Sequence, residues 1–239
     1  MTSPTVVLVH GAFADASSWS GVIEELHAVD ANVIAPPNQL RGIPTDAAYL
    51  TNFVDQLGTP TLLVGHSYGG ALITQSGTDA QDVIGLVFVA AFAPEANENL
   101  ADINARYPDI PLSAAQRTLA YPTGDGISGT EVLIDQASFH DAFCADLPVE
   151  QARVMALTQR PIAVEAFTSV VTGTPAWHSL PSWAIVATAD HAIHPDAERD
   201  MAKRAGAEVV ELDASHAVAV SRPERVAEVI LQAVHGTSS

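Results

Sequence analysis

The chain has 239 residues, 48% of them hydrophobic and 16% charged, and its 10 basic and 28 acidic side chains give a net charge of −18. That length allows one substantial domain with an insertion and a full core, and the composition excludes a disordered protein. The acidic balance excludes a nucleic-acid binder and sets the surface against anionic membranes.

Taken in order, short apolar runs at 5–9, 32–35, 61–64, 84–90, 182–188 and 208–212 read as strands buried on both faces, because no polar residue alternates through them. Between them lie helical patterns. Trp19, Val22, Ile23 and Leu26 share one face, as do Leu50, Phe53, Val54 and Leu57, with Gly58 as a stop. Pro195 and Gly206 bracket a helix around Met201, and Ser221-Arg222-Pro223-Glu224 has the pattern of a capping box before a last helix carrying Val226, Val229, Ile230 and Ala233. Strands alternating with helices predict an α/β doubly wound sheet, six-stranded and mainly parallel, with helices on both faces.

The alternation breaks between Pro94 and Pro175, a stretch punctuated by Pro108, Pro111, Pro122, Gly124, Gly126 and Gly129. An insertion of that size predicts a helical cap over residues 95–175, with 131–134 its one strand candidate. Residues 1–94 and 176–239 then form a single core. The start of the chain shows no basic segment followed by an apolar one, and no run approaches 18 apolar residues. A cytoplasmic protein is the expectation. Cys144 is the single cysteine and reads as a small buried residue rather than a nucleophile.

The most informative element is Gly65-His66-Ser67-Tyr68-Gly69, set between an apolar strand and a helical run. A serine at such a strand-to-helix turn projects Oγ from the sheet edge, and the flanking glycines keep the turn clear. Serine needs a base, and the base needs an orienting acid. Asp190 and His216 each follow a later strand, in the order Ser…Asp…His that this arrangement requires. Glu95 is the rival acid. The N–H groups of Tyr68 and of Ala12, in the loop after the first strand, are candidate oxyanion donors. His10 reads as a brace for that loop, Asp15 as a helix cap, and His66 as a packing residue of the turn. Phe13, Trp19, Tyr68, Phe139 and Phe143 predict an apolar pocket. His191 and His194, spaced H-x-x-H in a loop, do not match the helical pairing of zinc proteases, and no metal is expected.

His10-Gly11-Ala12-Phe13 with Trp19, the Ser67 turn, Ala189-Asp190 and Ser215-His216 together resemble the α/β-hydrolase superfamily. More narrowly they are similar to small esterases related to plant methylesterases and hydroxynitrile lyases. Arg41-Gly42, the run from Ala90 to Pro94 and the run from Phe139 to Phe143 are similar to bacterial members of that group. The resemblance implies a Ser67, Asp190 and His216 triad, an oxyanion hole of Ala12 and Tyr68, no cofactor and a helical cap. Hydroxynitrile lyases of this type carry threonine and lysine where this chain has Gly11 and Ala217, which sets cyanohydrin cleavage aside. The expectation is a serine carboxylesterase acting on a small, mostly apolar ester. A lactone, amide or thioester hydrolase and a non-catalytic ligand receptor are the alternatives. A homodimer is the one macromolecular partnership left open.

Overall fold

Strands built from continuous Val, Ile and Leu need cover on both sides. A computed structural model, which describes residues 3–124 and 126–237, supplies it with helices. The first half runs β1 (Thr5–Val9), α1 (Ser20–His27), β2 (Asn32–Ile34), α2 (Ile43–Asp55), β3 (Thr61–Ser67), α3 (Tyr68–Asp79) and β4 (Val83–Ala91). An insertion follows: α4 (Leu100–Asn104), α5 (Pro111–Ala115), β5 (Gln116–Gly124), β6 (Ile127–Ile134), α6 (Phe139–Phe143), α7 (Val149–Thr158), β7 (Ile162–Ala163) and α8 (Val164–Thr168). The chain closes with β8 (Ser182–Ala187), α9 (Pro195–Arg204), β9 (Glu208–Leu212), α10 (Val218–Ser221) and α11 (Pro223–Gly236).

All six expected core strands form, and they make one sheet in the order β2-β1-β3-β4-β8-β9. Every adjacent pair is parallel. The order reverses beside β1, where the chain moves to β2 on one side and to β3 on the other. Loops leaving β1 and β3 therefore diverge and open a crevice at the C-terminal edge, where doubly wound sheets hold their ligands.

Alternate strand residues divide between two cores, as the two-residue period of a strand dictates. Val7, Val9, Leu63, Leu86 and Phe88 pack with α2, α3 and the insertion. Val6, Leu8, Leu62, Val64, Val87 and Val89 pack with α1 and α11 on the opposite face. In α2 the buried positions Ile43, Ala47, Leu50 and Val54 follow the helical repeat, and each large apolar side chain so covered contributes roughly 1.5–3 kcal/mol. Gly58 (φ 62) and Gly206 (φ 63) take the left-handed conformation just past the ends of α2 and α9, the positions read for them as stops.

Two features differ from the sequence reading. The capping box before the last helix does not form: Ser221 ends α10, Pro223 opens α11, and Arg222 between them gives no side-chain cap. The insertion, expected as a helical cap with 131–134 its one strand candidate, carries short helices and a three-stranded antiparallel sheet, β5-β6-β7. The hairpin projects from the core. Arg41 ties its middle down, pairing with Glu131 at 2.8 Å and lying 4.3 Å over the Tyr121 ring. Among the described residues no helix is long and apolar enough to cross a membrane.

Candidate active site

β3 ends on Ser67, whose backbone sits at φ 53 and ψ −120, and α3 begins at the next residue. A positive φ at a serine stores about 1–3 kcal/mol of strain and turns the side chain out of the sheet edge. Neighbouring glycines make the turn possible. A Cβ on Gly65 would meet the Gly69 carbonyl at 2.6 Å, and one on Gly69 would collide with the carbonyl oxygen of Val9. Among the described residues no side chain hydrogen-bonds Ser67 Oγ. It opens into a cavity of about 350 Å³ that His216 also lines. Serine–base contacts are often loose without substrate and tighten when it binds.

The loop after β9 carries His216, and the loop after β8 carries Asp190; both are buried. His216 Nδ1 lies 2.5 Å from Asp190 Oδ2. A carboxylate only accepts, so Nδ1 carries the proton and the Nε2 lone pair is free for a proton from another group. Asp190 Oδ1 takes the N–H groups of Ala192 at 2.6 Å and Ile193 at 2.9 Å. Burial pushes this carboxyl up, but the His216 charge and these hydrogen bonds outweigh it and hold Asp190 below the usual carboxylate range. The imidazole is clamped between the His66 ring, 4.7 Å away, and the Phe143 ring at 5.0 Å.

Ala12 and Tyr68 line the same cavity as Ser67. Tyr68 is the first residue of α3, so its N–H has no intrahelical acceptor. Among the described residues the N–H of Ala12 is bonded to no acceptor. His10 sets the Ala12 loop, with Nδ1 donating to the Gly11 carbonyl at 2.9 Å and Nε2 accepting the Asn38 N–H at 3.0 Å. Gly11 is required for the close approach: a Cβ there would stand 2.6 Å from Ser67 Cβ. Asp15 caps the short turn at 16–19, accepting from Ser17 N.

Other expectations are revised. Phe13 lines the cavity, together with Phe92, Leu112, Val132 and Phe167. Trp19, Phe139 and Phe143 do not. Trp19 is buried in the core with its ring 6.2 Å from His66, while Phe139 packs tilted against Phe143, whose ring lies 5.0 Å from His216. They support the site's walls without facing its interior. Glu95 turns to the surface, where it meets His178 Nε2 at 3.0 Å. His191 donates to the Asp141 carbonyl, and His194 caps α9 by accepting from Asp196 N. Cys144 is buried in the core, and burial with Asp146 nearby pushes its thiol up to about 12, which keeps it un-ionised.

Two residues to which the sequence assigned no role also shape the site. Tyr68 OH donates to Asp46 Oδ2 at 2.8 Å, and the same oxygen takes the Arg41 N–H at 2.8 Å, so α2 anchors the start of α3. Glu198, on α9, lies buried against Asp190.

A serine on a strained strand-to-helix turn, beside a paired histidine and carboxylate at the C-terminal edge of a doubly wound sheet, defines a class of protein. The alpha/beta hydrolase family model matches residues 6–229, and the chain belongs to that family. It is 26% identical over 253 residues to "Probable hydrolase R7" of Phoma sp., covering 97% of this chain and 98% of that one. Among solved structures it is similar to polyneuridine aldehyde esterase (TM-score 0.81, 18% identity, 97% and 99% of the two chains covered). It is also similar to a pyrethroid hydrolase from Sphingobium faniae (TM-score 0.78, 21% identity, 99% of each chain covered). At such identities these structures speak to the fold.

Proposed function

We propose that this protein is a serine carboxylesterase that hydrolyses a small, uncharged, mostly apolar ester through an acyl-enzyme. The observation that carries the reading is the strained Ser67 turn opening into the cavity that holds the His216–Asp190 pair. Ser67 Oγ attacks the ester carbonyl while His216 Nε2 takes its proton. Asp190 holds the ring in orientation and stabilises the imidazolium as it forms. The N–H groups of Ala12 and Tyr68 bind the oxygen that becomes negative in the tetrahedral intermediate. His216 returns the proton to the leaving alcohol, and a water then repeats the sequence to release the acid. The insertion covers the strand ends as a cap, with Leu112, Val132 and Phe167 as its apolar wall.

The substrate class is supported by the cavity's lining, which among the described residues contains no Asp, Glu, Lys or Arg. The similar proteins named as an esterase and a pyrethroid hydrolase agree with ester chemistry on this scaffold. The test is a panel of p-nitrophenyl esters graded by acyl length, run on the wild type and on Ser67→Ala with a fluorophosphonate label. Wild-type hydrolysis, labelling at Ser67 alone, and a loss of about four to six orders of magnitude in kcat for Ser67→Ala are expected. Unchanged hydrolysis in a verified Ser67→Ala preparation would end the reading.

A further inference from the structure

Glu198 is on α9, a helix whose Asp196, Asp200 and Lys203 reach solvent, yet Glu198 itself is 3% exposed. Its Oε2 accepts the N–H of Ala187, the last residue of β8, at 3.0 Å. Its Oε1 is buried and meets no N–H or hydroxyl donor. The carboxyl lies within hydrogen-bonding reach of Asp190. An adjoining void of about 10 Å³, otherwise lined by apolar side chains such as Phe88, Ala184 and Ile185, is too small to hydrate an anion.

Two carboxylates in contact inside a protein do not both ionise; one keeps a proton. The partners decide which one. Asp190 accepts from His216 Nδ1, Ala192 N and Ile193 N, three donors that favour the anion. Glu198 accepts from one backbone N–H. A proton on Oε1, the oxygen that no donor meets, gives a carboxyl already within reach of Asp190 a hydrogen to donate, and the buried unsatisfied atom disappears.

We propose that Glu198 is a neutral positioning acid, which holds the Asp190 carboxylate against His216 by donating a hydrogen bond from Oε1. The inference rests on the serine-esterase reading for its kinetic consequence, though not for the state of the proton. Burial first, then the Asp190 charge, raises the Glu198 carboxyl well above its ordinary value, in agreement with the geometry. The groups that bear on the pair are His216 and His66 from the loop after β9 and from β3, and Arg199 on α9 itself. The segments of β4 and β8 packed against α9 carry no titratable side chain.

The test compares Glu198→Gln with Glu198→Leu. Glutamine keeps both bonds, donating from Nε2 to Asp190 and accepting the Ala187 N–H at Oε1. Its kcat should stay within about threefold of wild type, with the acid limb of the kcat/KM profile unmoved. Leucine removes the donor. Its kcat should fall about ten- to a hundredfold at unchanged KM. Its acid limb should move to higher pH, because a carboxylate short of one donor attracts the imidazolium more strongly. A downward shift of that limb in Glu198→Gln would mean that a negative charge had been removed, and would overturn the proposal. So would wild-type kcat in Glu198→Leu.

The infrared difference spectrum of wild type minus Glu198→Gln reads the proton without any turnover. A protonated-carboxyl C=O band at neutral pH is expected, and its absence overturns the proposal even if the leucine variant does not fold. Failure of the esterase reading itself would appear separately, as activity that survives in Ser67→Ala.

Discussion

His66 Nε2 donates to the carbonyl oxygen of His216 at 2.9 Å, which ties the residue before Ser67 to the backbone of the histidine that lines the same cavity. That bond fixes the His66 tautomer, because a carbonyl only accepts. The ring stays neutral against the pull of that bond: burial, and the charge on the His216 ring next to it, hold His66 down to about 3 from an ordinary 6.5.

A histidine buried neutral makes stability depend on pH with a definite sign. Between the two values, pH 6.5 and about 3, the unfolded chain binds a proton that the folded chain refuses. Stability is therefore lost as pH falls through that window, with a limiting slope of about 1.4 kcal/mol per pH unit for one such group. His10, also lowered by burial, adds in the same direction. Glu198 acts oppositely: its buried neutral form stabilises the fold fully below pH 4.5, and that contribution declines as pH rises toward its elevated value. His66→Gln keeps an N–H for the His216 carbonyl and removes the titration. Its melting temperature should fall less steeply than wild type between about pH 6.5 and 4. Parallel curves for the two proteins would contradict this.

On the proposed reading the acid that orients His216 is Asp190 and not Glu95. Asp190→Asn leaves shape intact but turns an acceptor into an amide, which mis-orients the imidazole and stabilises its cation poorly. A loss of about three to four orders of magnitude in kcat is expected. Glu95→Gln touches only the surface contacts with His178 and the Ala96 N–H and should cost less than about tenfold. Steady-state kinetics on folded variants decide the ranking, and the reverse order would move the acid to Glu95.

Much of this site could be read from the chain because its signals are local. Gly65, Ser67 and Gly69 are spaced by the turn they make, and Asp190 and His216 each follow a strand whose continuous apolar run is unmistakable. What was missed depends on tertiary placement. In β5, Gln116–Gly124 is exposed along almost its whole length, so no hydrophobic alternation marks it as strand, and Pro122 argues against one. Glu198 sits in a polar stretch, Asp-Ala-Glu-Arg-Asp, that reads as a solvated helix face; only the packing of α9 beside the end of β8 buries it. Trp19, Phe139 and Phe143 are near the site in space, but aromatic residues do not announce which side of a wall they occupy.

Gly11 tests the oxyanion loop. A methyl group there would stand 2.6 Å from Ser67 Cβ and 2.9 Å from the His66 carbonyl oxygen, both held by a strained turn. The loop must back away, and the Ala12 N–H moves with it. Gly11→Ala should lower kcat by about a hundred- to a thousandfold, the scale of one lost oxyanion donor. Gly58→Ala is the control: its Cβ meets nothing within 4 Å, and its left-handed φ makes it costly only to stability. Equal kcat in the two variants would remove Ala12 from the mechanism.

On the proposed reading the substrate is uncharged, because among the described residues the cavity lining carries no Asp, Glu, Lys or Arg. An ester bearing a carboxylate would lose its hydration with no cation to replace it. Its kcat/KM should be lower than that of a neutral isostere by a factor of about a hundred or more. Gln116→Arg places a guanidinium on the wall and should narrow that gap, chiefly through KM. Equal rates for charged and neutral esters in the wild type would show that the substrate's far end stays in water.

On the same reading, the length of the substrate should depend on the place where two cavities meet. Ala101, Asn104 and Ser113 line both the 350 Å³ cavity over Ser67 and a second one of about 230 Å³ that reaches Pro108, Asp109 and His194. The shared residues sit on α4 and α5, so the chain's own cap separates a reaction chamber from an outer one. A short acyl chain needs only the inner chamber, whereas a long one must pass Ala101 to bury its tail. Each methylene so buried is worth about 0.8 kcal/mol, so kcat/KM should rise by nearly fourfold per carbon until the chambers are full. Ala101→Phe closes the passage with bulk on an exposed edge of α4, away from Ser67 and His216. It should leave acetate and butyrate esters within about twofold while flattening the rise for longer chains. A chain-length profile that keeps its slope in Ala101→Phe would mean that the tail leaves by another route.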